Sequence, residues 1–273
     1  MISLAKDKRM LGYEVLATYP NISCFVTTRH GGYSKGNYSS FNCTPYTGDD
    51  AECVRRNREI LCSSLPQRPK ELIIPFQTHD TQILIIDETY LHATDEGRHT
   101  MLQSIDALIT QEAGCCICIS TADCIPILLY DKEHQAIAAI HAGWRGTVNR
   151  ILGHTLDRMH TLYGTTGKDV IACIGPGISL PSFEVGDEVY EAFREKDFPM
   201  EYVSEWKPET HKYHIDLWAA NRLQLSDFGI PDNQIESAGI CTYQQHEDFF
   251  SARRLGIKSG RILSGIMINR GVY

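Results

Sequence analysis

Ile125-Pro-Ile-Leu-Leu-Tyr130, Asp131-Lys-Glu-His134 and Gln135-Ala-Ile-Ala-Ala-Ile140, running into His141-Ala-Gly-Trp-Arg-Gly146, form the stretch on which the reading of this chain turns. Two apolar runs around a short polar segment read as an antiparallel hairpin. A two-residue turn at Lys132 and Glu133 sets Asp131 opposite His134 and Cys124 opposite His141. Directly opposed residues have Cβ atoms about 4.5–5.5 Å apart on one face, a spacing that suits a thiolate and an imidazole on a single metal ion. A four-residue turn would shift the register and break that pairing.

Two ligands do not complete a zinc site. The third expected ligand is His79, in the polar break Gln77-Thr-His-Asp80 between the apolar runs Glu71–Phe76 and Gln82–Asp87. A Cys/His/His set leaves the fourth tetrahedral vertex to water, the pattern of a catalytic zinc. With Cys124 a thiolate and both imidazoles neutral, the site keeps one positive charge and lowers the pKa of water towards ~7. The same residues also read as satisfied core histidines, and Cys124 with His141 as a nucleophile and base without metal. The pattern leaves zinc and thiol chemistry open. No HxH pair exists to build a trinuclear copper cluster.

After His141, Gly143-Trp-Arg-Gly-Thr147 leads into a predicted helix over 148–163. Val148, Ile151, Leu152, Leu156, Met159 and Tyr163 share one face, and Gly164 is the stop. The start of that helix and Arg145 form a candidate anion site, although a tight turn with a surface arginine fits as well. Arg29-His30-Gly31-Gly32 and Phe249-Phe-Ser-Ala-Arg-Arg254, with Arg253, are further cationic candidates. His211 and His214 would face opposite ways in a short strand, and His92, His99, His154 and His160 read as surface residues.

Along the rest of the chain, strands are expected at 22–28, 106–110, 115–120, 169–174, 212–215, 235–240 and 262–268. Helices are expected from Asp49 or Asp50 to about Leu65, at 186–196, and from an Asp216 cap to Gly229; residues 88–104 read as a polar loop. Strands occur both in hairpin runs and singly between helices. This predicts an α+β fold of layered mixed β-sheets flanked by helices, with 1–273 a single domain. No GxGxxG or Walker motif suggests a nucleotide fold. The net charge of −8 and the lack of a basic stripe argue against nucleic acid or an anionic membrane as partner, and leave room for small anionic substrates, for which one or two local arginines suffice. Charges in Met1–Met10 where a signal peptide would be apolar give a cytoplasmic expectation. Most of the ten cysteines lie in apolar segments and read as buried small hydrophobes; Cys115 and Cys118 would point to opposite faces of a strand.

The chain closely resembles the YfiH-type family, whose members carry the names polyphenol oxidase (laccase domain), purine nucleoside phosphorylase and peptidoglycan editing factor. The matching segments are Thr28-Arg-His-Gly-Gly32, Gly48-Asp-Asp50 with Asn57-Arg58, Gln77-Thr-His79, Ala122-Asp-Cys124, His141–Gly146, Gly175-Pro176 and Phe249–Arg254 with Gly260-Arg261. The resemblance implies one YfiH-like α+β domain, an architecture also linked to cysteine hydrolases. It implies Zn2+ on His79, Cys124 and His141, with copper the lesser expectation. It further implies phosphorolysis of adenosine, inosine and methylthioadenosine to free base and ribose 1-phosphate, and deamination of adenosine. Within that chemistry Cys124, His141 and Asp123 are the catalytic candidates, Asp123 as a proton carrier. Arg29, His30, Arg145 and Arg253 are the substrate- and phosphate-binding candidates. Gly177 stands where the family often has cysteine, and Asp80 where glycine or serine is common. The alternatives are a cysteine amidase acting on peptidoglycan precursors, a copper polyphenol oxidase and a non-catalytic nucleoside-binding module.

Overall fold

The computed structural model describes residues 1–4 and 8–271. Lys6 and Asp7 of the charged N-terminal stretch, and the final residues 272–273, lie outside them. Two six-stranded sheets dominate. The first runs in the order Ile2–Ser3, Met10–Gly12, Ile22–Thr27, Ile262–Ile268, Cys115–Thr121, Glu71–Ile73. The second runs Ile235–Ser237, Val170–Ile174, Ile125–Asp131, Ala136–Ala142, Ala107–Thr110, Ile83–Ile86. A small sheet holds Glu184–Val185, Lys212–Ile215 and Ser204–Lys207. Parallel and antiparallel pairs mix within both large sheets, as expected.

Alternation explains how the sheets stack. Along Cys115–Thr121, Cys115, Ile117 and Ile119 face the second sheet, where they meet Leu128, Tyr130, Ile137 and Ala139. Cys116 and Cys118 face the other way and pack with Phe25, Leu263, Met267 and Leu61 of the helix Ala51–Ser64. Ile127, Leu129, Ala138 and Ile140 turn outward from the second sheet. They pack onto Leu152, Leu156 and Met159 of the helix Ile151–Tyr163 and Ala220 and Leu225 of the helix Leu217–Asp227. The order is helix, sheet, sheet, helices, with an apolar layer in each gap. Each fully buried Leu or Ile adds roughly 1.5–3 kcal/mol, and a one-residue slip would turn every one of them to the wrong layer. The expected caps are present: Asp50 accepts from the Cys53 amide and Asp216 from the Ala219 amide.

Several expectations need correction. The hairpin turn is four residues long, so Asp131 pairs with Ala136 and His141 with Pro126, not with Cys124. The Asp131 carboxylate accepts from the amides of Glu133 and His134 and holds the His134 ring, while Gln135 takes a left-handed φ of 52°. Those local bonds stabilise the longer loop over a two-residue turn. The segment 88–104 is not a plain loop. It forms the short helices Glu88–His92 and Asp95–Met101, capped by Asp87 and Thr94. The helix expected at 148–163 is two helices, Trp144–Val148 and Ile151–Tyr163, broken where Arg150 enters the left-handed region at φ 57°. Its apolar face is as expected. The strand near 235 ends at Ser237.

Candidate metal centre

Alternation along Ala136–Ala142 puts His141 on the inter-sheet face with Ile137 and Ala139, at the end of the strand, where it is buried. Cys124 precedes Ile125–Asp131, in the bend that leaves Cys115–Thr121. Asp123 makes the bend with φ 88°, a costly conformation for a residue with a side chain. Its carboxylate holds that conformation by accepting from Thr242 Oγ1 (2.7 Å), Ser251 Oγ (3.0 Å) and the Arg253 amide (2.7 Å). Cys124 therefore reaches His141 by way of this bend and not by strand pairing.

His79 arrives from the polar break. Gln77 clamps the break to the first sheet: its amide group donates to Ser120 O and accepts from Ser120 N, imitating a neighbouring strand. His79 itself is left-handed at φ 64°, which curls three successive N–H groups around one point, a nest for an anion. The anion is the fully buried Asp106 carboxylate. It accepts from Thr78 N (3.1 Å), His79 N (3.0 Å), Asp80 N (3.0 Å) and His141 Nδ1 (2.7 Å).

The ligand atoms of His79, Cys124 and His141 all lie within 4.8 Å of one another. Ligands on one tetrahedral zinc are about 3.3–3.6 Å apart, given Zn–N and Zn–S bond lengths, so a contraction of at most about 1.2–1.5 Å closes the site. The donor set, one sulfur and two imidazoles, fits zinc. Gly143 backs it. A Cβ there would sit 3.0 Å from Cys124 Sγ and 3.2 Å from His79 Cδ2, so the third side of the cradle is backbone.

Without an ion the trio is strongly polarised. Burial opposes ionisation of Cys124, but the charge of His141 and hydrogen bonds from both imidazoles outweigh it and bring the thiol down to about 6. Burial likewise opposes the charged form of His141, yet Cys124 and Asp106 push it up to about 9. Asp106 is held below the ordinary carboxylate range, its burial outweighed by His141 and the nest amides. The two shifts, the thiol down and the imidazole up, both favour a thiolate–imidazolium pair in the metal-free protein near neutral pH. The thiolate fraction rises with pH through about 6. Iodoacetamide alkylation of Cys124 in chelator-treated protein is accordingly expected to be near its plateau at pH 7.5 and to fall towards pH 5, with added zinc protecting the residue. A midpoint near 9, read by peptide mass spectrometry, would contradict this.

The trio lies in a cleft of about 890 Å³. One side carries Tyr46 and Phe76, packed edge to face with centroids 5.3 Å apart and both exposed. The other carries Phe183, Arg253, Ile257, Lys258 and Arg261. Of the cationic candidates read from sequence, only Arg253 lines the cleft. Its guanidinium donates to Glu184 O and lies over Phe183. Arg29 donates to Ser39 O and His246 O and lies against Phe250, and His30 is paired with Asp248 at 2.6 Å. Arg145 sits over the Trp144 ring, exposed and outside the cleft lining; its helix is only five residues long. Asp106, Lys258 and Arg261 were not among the expected site residues. Arg261 donates to Ser259 O, Gly260 O and Ile257 O, and burial lowers its pKa. The doublet Gly260-Arg261 was the available signal for it.

A protein-family model described as multi-copper polyphenol oxidoreductase laccase matches residues 23–269. The chain belongs to that family. Among relatives of this laccase-domain family, a Bacteroides thetaiotaomicron protein named purine nucleoside phosphorylase is 64% identical over 99% of this chain and 100% of its own. A protein from an unknown prokaryotic organism, named adenosine deaminase RL5, is 40% identical over 90% of this chain and 93% of its own. Among solved structures, the Bacillus licheniformis hypothetical protein YfiH superposes with a TM-score of 0.87 at 28% identity, covering 97% of this chain and 98% of that one. YlmD from Geobacillus stearothermophilus gives 0.84 at 30%, covering 92% and 93%. The expected α+β architecture of sheets flanked by helices is thus shared with these two structures. No helix among the described residues is long and apolar enough to cross a membrane.

Proposed function

We propose that the protein is a zinc-dependent purine nucleoside enzyme that cleaves adenosine, inosine and methylthioadenosine with phosphate and also deaminates adenosine. The observation that carries the reading is a Cys/His/His trio in a cleft whose lining also includes three cations, Arg253, Lys258 and Arg261. The names of the relatives, phosphorylase and deaminase, agree with a site that handles both a phosphate and a purine.

His79, Cys124 and His141 would hold the zinc, which would supply Lewis-acid chemistry and the means to acidify water. The chain supplies the rest. Arg261 and Lys258 hold the phosphate dianion; Lys258 has no hydrogen-bond or ion-pair partner among the described residues and is free to do so. Phe76 and Tyr46 give the base an aromatic wall. Asp123, its oxygens engaged by three donors, shapes the Cys124 bend; proton transfer through it would require one of those bonds to open. The family description names copper. A multicopper centre needs several histidine clusters, and among the described residues only this trio gathers.

Purified protein is expected to carry close to one zinc per chain. It should release hypoxanthine from inosine only when phosphate is supplied, and turn adenosine into inosine without phosphate. Hypoxanthine release that ignores phosphate, or copper in place of zinc in an active preparation, would overturn the reading.

One observation favours a second reading. Cys124, His141 and Asp106 lie in the order nucleophile, base and orienting carboxylate, the arrangement of a cysteine amidase or hydrolase. Such an enzyme would remain active after chelation and would accumulate an acyl group on Cys124.

A further inference from the structure

Two of the three proposed ligands are held by one side chain that belongs to neither. Asp106 stands just ahead of the strand Ala107–Thr110, which pairs antiparallel with Ala136–Ala142. His141 N donates to Asp106 O at 2.8 Å, so the pairing continues one step beyond the strand and brings the Asp106 side chain beside the His141 ring. The two carboxylate oxygens divide the work. Oδ1 accepts from His79 N and His141 Nδ1; Oδ2 accepts from Thr78 N and Asp80 N. With Nδ1 engaged, His141 presents Nε2 to the ion. With the nest closed, the left-handed turn at His79 is fixed and its ring is carried to Cys124.

We infer that Asp106 is the positioning residue of the centre: before any ion arrives it fixes the His141 ring and the backbone turn from which the His79 side chain extends, so the framework of the site is preformed and not assembled by the metal. This rests on reading the trio as a metal site, although its metal-free consequence does not depend on what the ion catalyses. None of the four bonds involves a ligand atom. Nor can a neutral isostere replace the carboxylate. Asparagine must turn its NH2 either towards the amides of Thr78 and Asp80 or towards His79 N and the His141 ring, so donor meets donor in both orientations. In the second orientation His141 could satisfy the NH2 only by carrying its own proton on Nε2, the atom the metal needs. Outer carboxylates of this kind typically change metal affinity by about 10–100-fold.

The test compares wild type with Asp106→Asn and Asp106→Ala, both stripped of metal and titrated with Zn2+ against a chromophoric chelator. Amide exchange at Thr78, His79 and Asp80, and the His141 Nδ1–H resonance, are followed by NMR. In metal-free wild type the three amides should already be protected and the Nδ1–H proton already visible, with little change on adding zinc. In the variants those amides should exchange at least about tenfold faster and zinc should bind about 10–100-fold more weakly, while the far-UV spectrum stays that of a folded chain. Wild-type amides that exchange freely until zinc is added, or a folded Asp106→Asn protein that binds zinc as tightly as wild type, would overturn the inference. If neither variant folds, the wild-type exchange measurement alone decides. A wild type that is protected at 78–80 yet never binds zinc would leave the positioning role standing and remove the zinc reading instead.

Discussion

Exchanging Cys124 for alanine is expected to empty the centre of zinc and to lower inosine phosphorolysis by about a thousandfold or more. The side chain is only partly buried and its loss removes a single sulfur, so the fold should persist. Two imidazoles remain, too few for a catalytic zinc site of three protein ligands, and the Lewis acid they fail to hold contributes several kcal/mol to the barrier. The measurement is zinc content by elemental analysis beside hypoxanthine release at saturating inosine and phosphate. A folded, metal-free variant with activity within tenfold of wild type would remove the ion from the reaction. Because a nucleophilic Cys124 would also be disabled by this change, chelator-treated wild type is the companion sample. It should be inactive and recover on adding zinc, whereas a thiol hydrolase would not need the ion.

The second large effect is expected at Arg261. In Arg261→Gln the cleft loses a guanidinium that burial has already stripped of part of its water. Hydrogen bonds to charged groups contribute roughly 1.5–3 kcal/mol, so KM for phosphate should rise about 10–100-fold. Adenosine deamination, which consumes water and not phosphate, should change little. That contrast separates lost phosphate binding from a disturbed loop, since Arg261 also donates to the carbonyls of Ile257, Ser259 and Gly260. Arg261→Lys, which keeps a charge, should fall between the two. An equal loss of both activities would make Arg261 a loop staple and nothing more.

Local signals were legible where one element decides its own form. The Asp50 and Asp216 caps, the apolar face from Val148 to Tyr163 and the runs 115–120 and 125–130 all lie where their patterns put them, each run one residue longer in the structure. The meeting of Cys124 and His141 was also legible, though for the wrong reason. The hairpin register excludes the cross-strand pair, and the positive φ at Asp123 supplies the contact instead. No pattern in a single chain announces that an aspartate will be paid by hydrogen bonds from residues 119 and more positions downstream. Asp106 was hidden for a related reason. Its neighbours are unremarkable, and its role exists only once Ala107–Thr110 pairs with Ala136–Ala142. Arg145, next to a glycine and at a helix start, fits an anion site and a surface turn equally by pattern; the structure rests its guanidinium on its own neighbour's indole, outside the cleft lining.

Ten thiols in one newly made chain are ten soft ligands, any of which could scavenge a passing ion. Folding withdraws most of them: Cys43, Cys115, Cys116, Cys118, Cys173 and Cys241 are buried, and burial pushes the thiols of Cys43, Cys115, Cys118 and Cys173 up, away from the thiolate form. Cys124 alone is brought within reach of two imidazoles. On the zinc reading, fidelity of metallation is therefore a by-product of collapse. The finished molecule need not prefer its own site over nine rivals, because it has already put most of them out of circulation.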